Sequence, residues 1–150
     1  MNSDQVALMQ YSFAKLMPTV EEAAGLFYGR LFEIAPQVEP LFHGDVKEQR
    51  RKLMATLAVV VDGLNDLATI LPAASALAKR HVAYGVRAEH YAPVGVALLW
   101  MLERGLGAEW TSDLAVAWTN VYATLSEYMI DEAYSRREAG RVSSEPVAAP

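Results

Sequence analysis

The stretch Leu77–Val86, LAKRHVAYGV, carries one of only three histidines in the chain. It reads as the second half of a short helix. Pro72 suits the first turn, where its missing N–H costs nothing. Gly85, four residues past His81, supplies the stop that a helix C-terminus favours. Leu77 lies one turn before His81, so the two share a helix face. A lone histidine in such a place is ordinarily a satisfied core or surface side chain. On an apolar face it can also bind a metal, provided its second nitrogen donates to a carbonyl or a polar side chain.

The rest of the chain bounds what His81 could serve. At 150 residues, the length fits one domain. We assign residues 1–136 to it and read the small, polar, proline-bearing segment 137–150 as a disordered tail. A hydrophobic share of 53% against 21% charged residues is globular in character. The net charge of −5 argues against nucleic-acid binding, which needs a clustered basic surface. The basic cluster Lys47–Lys52, KEQRRK, reads as a solvated helix face. With no cysteine, disulfides, thiolate zinc sites, iron–sulfur clusters and cysteine nucleophiles are excluded. The N-terminus lacks the basic start and apolar run of a signal peptide, and no run of about 18 apolar residues marks a membrane span. The expectation is a soluble cytoplasmic protein.

Helical periodicity runs nearly throughout. Val6, Met9, Phe13 and Leu16 recur at spacings of three and four. A second helix starts near Thr19 with Glu22 as a capping-box partner, buries Ala24, Phe27, Leu31 and Ile34, and ends before Pro36. The connector PQVEPLFHGD follows. Asp45 and Glu48 form a second capping-box pattern and open a helix whose inner face is Leu53, Leu57, Val60 and Leu64. After the helix of His81 come one from about Tyr91 to Leu106, with Pro93 in its first turn, and one from about Ser112 past Tyr128. The last uses Leu114, Trp118, Val121, Leu125 and Tyr128. No strand alternation stands out. The class is all-α, with about six or seven helices of unequal length, which fits crossed pairwise packing.

Several chemistries drop out. No GxGxxG follows a strand, and there is no P-loop, HExxH or GxSxG. Glu89 and His90 are adjacent, not three apart, so a di-iron carboxylate bundle cannot be built. That leaves His81. One protein ligand is too few for zinc, but it is enough for a haem iron, whose porphyrin supplies four nitrogens.

The segments LFYGRLF, EPLF, QRRKL, LAKRHVAYGV, HYAPVG and AWTNVY, taken together, resemble the bacterial globin family. The resemblance is to single-domain haemoglobins and the globin part of flavohaemoglobins, and it covers about residues 4–132. In that family a Phe–Tyr pair precedes a further phenylalanine at a fixed interval, kept here by Phe27–Tyr28 and Phe42. A distal glutamine 32 residues before the proximal histidine is matched by Gln49 and His81, and a tyrosine ten residues after it by Tyr91.

The resemblance implies a globin fold, a 3-on-3 helical sandwich around haem b. It makes His81 the proximal iron ligand and Phe42 a wedge against the porphyrin. Tyr28 and Gln49 would donate hydrogen bonds to a bound diatomic ligand, which carries partial negative charge, and Leu53 would roof the pocket. Leu77, Val86, Val94 and Leu98 would line the haem, Tyr91 would support the proximal side, and Arg80 would face a propionate. Two departures stand out. Fifteen residues past Trp118 the family has a glutamate; this chain has Ala133. Glu132 is one residue short, rotated by about 100° on a regular helix. The connector is also short, with Gln49 seven positions after Phe42. His43 in that connector and His90 read as surface residues.

The implied function is reversible binding of O2, NO and CO. A catalytic extension is nitric oxide dioxygenation, fed by an external NAD(P)H-dependent reductase because the chain carries no flavin or nicotinamide motif. Peroxidase chemistry lacks a distal base. The alternative is a globin-fold gas sensor or protein-interaction module, for which no output domain follows Tyr134. The sequence is equally compatible with a monomer and a homodimer.

Overall fold

The computed structural model describes residues 2–42 and 44–135. Among them are six α-helices and no strand: α1 (Ser3–Leu16), α2 (Val20–Ile34), α3 (Val46–Asp62), α4 (Leu71–Ala83), α5 (Tyr91–Leu106) and α6 (Ser112–Ile130). Single 3-10 segments join them, and α6 widens into a π-turn at Asp131–Ser135. The predicted tail, and His43, lie outside the described residues.

Local chemistry sets the helix ends. Asn2 and Gln5 make a reciprocal capping box at α1. The Asp45 carboxylate takes the Lys47 amide at the start of α3, but Glu48 pairs with Arg51 instead of closing a box. No box forms at α2 either, because the Thr19 hydroxyl donates back to the Leu16 carbonyl. Pro72 sits in the first turn of α4. Beyond its last turn, Gly85 has φ of +92°, a conformation that glycine adopts without strain.

The helices pack in two layers of three. α1, α3 and α4 form one, and α2, α5 and α6 the other. α2 packs on α5, α1 on α6, α3 on α2 and α4 on α6. The core between them holds Met9, Leu16, Leu31, Met101, Leu102, Leu114 and Trp118, all essentially buried. The α1 stripe buries as expected. Ile34 does not: it is 37% exposed, and Ala35 turns inward in its place. On α3, Leu57 is buried while Leu53 and Val60 are half-buried, and Met54 and Val61 fill the face between them; Leu64, also buried, lies in the turn beyond the helix.

α3 and α4 scarcely touch, since α3 leans on α2 and α1 while α4 leans on α6. Around that gap, Leu41, Phe42, Leu53, Leu77, Val86 and Val94 are left only half-buried.

Candidate cofactor site

The connector after α2 brings Phe42 to one wall of the gap. Pro36 and Pro40 bracket a 3-10 segment that ends with Phe42 in an extended conformation. Its ring meets Tyr28 edge-on at 5.4 Å and Phe32 at 5.5 Å, and Phe27 meets Tyr28 at 5.0 Å. Aromatic pairs in such geometry fix one another beyond simple burial.

Tyr28 meets the main chain of Gln49, not its side-chain amide. The Tyr28 hydroxyl donates to the main-chain carbonyl of Gln49 at 3.2 Å. That is long for an O–H···O bond, so the proton is readily re-aimed. Burial pushes the Tyr28 hydroxyl up to about 12, with Arg50 pulling the other way. Tyr28 is therefore a neutral donor at any ordinary pH.

His81 sits across the gap, in the last turn of α4. Burial lowers its pKa, Arg80 lowers it further, and the Leu77 carbonyl one turn earlier acts against both. The imidazole is thus biased to its neutral form, the one that ligates metals. Its Nδ1 is sealed from solvent without a hydrogen bond of normal geometry. No group of three or more metal-binding side chains exists among the described residues.

Tyr91 lies beside it, ring centroids 6.3 Å apart and tilted by 34°. The Tyr91 hydroxyl is buried and has no hydrogen-bond partner, and burial, aided by Tyr134, pushes it up to about 12. Leu98 is buried at 5% exposure, while Arg80 is exposed and makes no ion pair among the described residues. His90 is half-buried rather than a free surface residue. Its Nδ1 accepts the Arg87 amide at 3.0 Å.

Three polar residues escaped the sequence reading. The Tyr122 hydroxyl donates to the Tyr91 carbonyl at 2.5 Å, and the Tyr134 hydroxyl to the Val86 carbonyl. Together they hold both ends of the loop that follows His81. Ser75 of α4 donates to Glu132 at 2.9 Å. Glu132 therefore reaches the His81 helix, because the π-turn breaks the regular 100° phase on which its exclusion rested. Its partner is Ser75, six residues before His81.

The donor set fits haem. There is an imidazole biased to its neutral form, half-buried apolar side chains from several helices, and the hydroxyl donor of Tyr28. Haem needs one axial nitrogen and apolar faces.

Comparisons with known proteins agree. A family model described as Globin matches residues 25–129. Over 107 residues, 69% of the chain, the sequence is 36% identical to a flavohemoprotein from Bordetella parapertussis, of which it covers 27%. It is 31% identical to a neuroglobin from Tetraodon nigroviridis, covering 67% of this chain and 72% of that protein. The chain thus spans about a quarter of the length of the flavohemoproteins it matches. The fold matches a bacterial globin from Campylobacter jejuni with a TM-score of 0.79, at 22% identity over 91% of this chain and 99% of that one. An engineered carbene transferase from Rhodothermus marinus gives 0.78 at 23% identity, over 97% and 99%. No described helix is long and apolar enough to cross a membrane. On family match, relatives and fold together, this chain belongs to the globin family.

Proposed function

We propose that the chain binds haem b through His81 and holds O2, NO and CO reversibly, with nitric oxide dioxygenation as its catalytic extension. The observation that carries this reading is His81 itself. Its imidazole is biased to neutrality and belongs to no cluster of three metal-binding side chains among the described residues. Its Nδ1 is enclosed beside the Leu77 carbonyl, which leaves Nε2 for the metal.

The bound ferrous group supplies the ligand site and the one electron needed to join nitric oxide and dioxygen as nitrate, and an external NAD(P)H-dependent reductase restores it. The protein's part is placement. Phe42, held edge-on by Tyr28 and Phe32, presents a flat apolar face. The Tyr28 hydroxyl turns from the Gln49 carbonyl toward the ligand, and the Gln49 side-chain amide supplies a second donor. Both hydrogen bonds stabilise negative charge developing on the ligand. Leu53 keeps water from that space, while Leu77, Val86, Val94 and Leu98 close on the porphyrin. Tyr91 packs on the His81 ring, and Arg80 lies at the solvent edge, where a propionate emerges. We assign the chain to a reducing, cytoplasmic setting, where such a reductase would work.

Absorption spectra of haem-loaded protein test the assignment, in ferric, ferrous and carbon monoxide forms. Wild type should give a histidine-ligated ferrous–carbon monoxide spectrum, and His81→Gly should lose it and regain it with added imidazole. Failure to take up haem, or an unchanged spectrum in the variant, overturns the reading.

A further inference from the structure

We propose that the exposed rim formed by the start of α3 and the end of α4 docks an acidic one-electron donor protein. The proposal rests on the haem reading above and names the kind of partner that such a site needs.

Charge is not spread evenly along this chain. Segments 45–52 and 79–90 hold seven basic residues against three acidic ones, a net +4. The rest of the chain, with six basic and fifteen acidic residues, carries −9. Adding Glu39 of the connector to the first group still leaves it at +3. The fold brings the two segments together. Leu41, five residues before α3 begins, has its Cδ2 3.3 Å from where a Cβ on Gly85 would stand, and Gly85 lies just past the end of α4.

Lys47, Lys52, Lys79 and Arg80 are exposed and make no ion pair among the described residues. Arg51 and Arg87 are already paired, with Glu48 and Glu89. Arg50 turns inward, its guanidinium packed on Gly25 of α2. Haem brings two propionates, and the rim stays positive after both are counted. Between the free cations, Tyr84 is 57% exposed, and Leu41, Phe42 and Val86 are half-buried. Charges ringing a small apolar centre are the layout of a protein interface.

The occupant follows from charge and from need. The described residues contain no strand on which a dinucleotide-binding unit could be built, so the electron arrives from another protein surface. An acidic donor is repelled by the −9 of the rest of the chain and drawn to this rim, which orients it before contact. The rim borders the gap that His81 faces, so a donor seated there stands at the cofactor's edge. One electron leaves the donor's reduced flavin and turns ferric iron ferrous, with no bond made or broken. Such encounters are small and transient.

An acidic flavodoxin is the probe. Titrated into the haem-loaded chain in its ferrous carbon monoxide form, it should shift amide NMR signals of 45–52 and 79–90, and added salt should reverse the shifts. Reduction of the ferric chain by photoreduced flavodoxin should slow as salt rises. The triple variant Lys47→Gln, Lys52→Gln, Lys79→Gln should slow it roughly tenfold or more at low salt, with the carbon monoxide spectrum unchanged. The control Val116→Glu, Asn120→Asp, Ala123→Glu makes the same change in net charge at exposed positions of α6 and should leave the rate within about twofold. Equal slowing in both triples, a wild-type rate that ignores salt, or shifts that fall elsewhere overturn the proposal. Anionic vesicles of phosphatidylglycerol in phosphatidylcholine that bind where flavodoxin does not would assign the rim to a membrane and overturn it too. A chain that takes up no haem sinks the gas-binding reading; a haem-loaded chain whose rim ignores flavodoxin sinks only the docking surface.

Discussion

On the α4 side of the gap, α6 and its π-turn reach across with three polar side chains. Tyr122 holds the Tyr91 carbonyl, Tyr134 the Val86 carbonyl and Glu132 the Ser75 hydroxyl. On the α2–α3 side, a long hydrogen bond joins the Tyr28 hydroxyl to the Gln49 carbonyl, and rings pack among Phe27, Tyr28, Phe32 and Phe42. The His81 side is built to stay put. The Tyr28 side keeps a donor that can swing. A site that must fix a metal ligand on one face and admit exchanging molecules on the other needs this asymmetry, since local opening follows few and weak ties.

Tyr28→Phe gives the largest contrast. The hydroxyl contributes little to the fold, so the melting temperature should move by less than the equivalent of about 1.5 kcal/mol. Hydrogen bonds to charged groups contribute about 1.5–3 kcal/mol, so dioxygen release should speed up roughly ten- to hundredfold. Stopped-flow release rates measured beside thermal melts would break the comparison if the melt changed more than the rate.

Two glycines sharpen it through stability alone. A Cβ on Gly95 would come within 2.6 Å of Tyr122 Cε2, and the Tyr122 ring is anchored through its hydroxyl to Tyr91. Gly95→Ala should therefore cost about 1–3 kcal/mol, as overpacking does. Gly29, next to Tyr28 on α2, has nothing within 4 Å of its Cβ position. Gly29→Ala should add about 0.5–1 kcal/mol through helix propensity. Denaturant unfolding of both variants checks the opposite signs. Two losses of equal size would show that the α2 side is as tightly fixed as the α4 side.

Much of this asymmetry was hidden in the sequence, for reasons that particular residues show. The α1 stripe Val6, Met9, Phe13, Leu16 was legible because period alone decides which face of an amphipathic helix is buried. The extent of α5, Tyr91–Leu106, was legible because the chain marks both its ends. The reading of His81, Tyr28, Gln49 and Tyr91 as one site rests on spacings that a family shares, and none of the four announces itself alone. Ile34 failed because it sits in the last turn before Ala35, whose φ of −142° swings the chain out of the helical register. The π-turn failed for a deeper reason. Its partners lie 57 residues away for Glu132 and 48 for Tyr134, so nothing in the local run DEAYS announces it. Arg50 failed likewise, because its place depends on the missing side chain of Gly25 on another helix.

Tyr134→Phe tests the weakest part of the contrast, the claim that α6 holds the His81 side by side-chain ties and not by packing alone. The substitution keeps the ring and removes only the donor to the Val86 carbonyl. That carbonyl belongs to a half-buried residue, so water can replace part of what is lost. The global cost should be about 0.5–1.5 kcal/mol, the net value of one hydrogen bond. The local signature should be clearer than the global one. Amide exchange should quicken over 84–91, the loop between Tyr84 and Tyr91, and stay unchanged in α2 and α3. Exchange that quickens evenly over the whole chain would mean that Tyr134 supports the fold at large. A loop left as protected as before would mean that packing of α4 against α6 suffices, and that the two sides of the site differ less than their hydrogen bonds indicate.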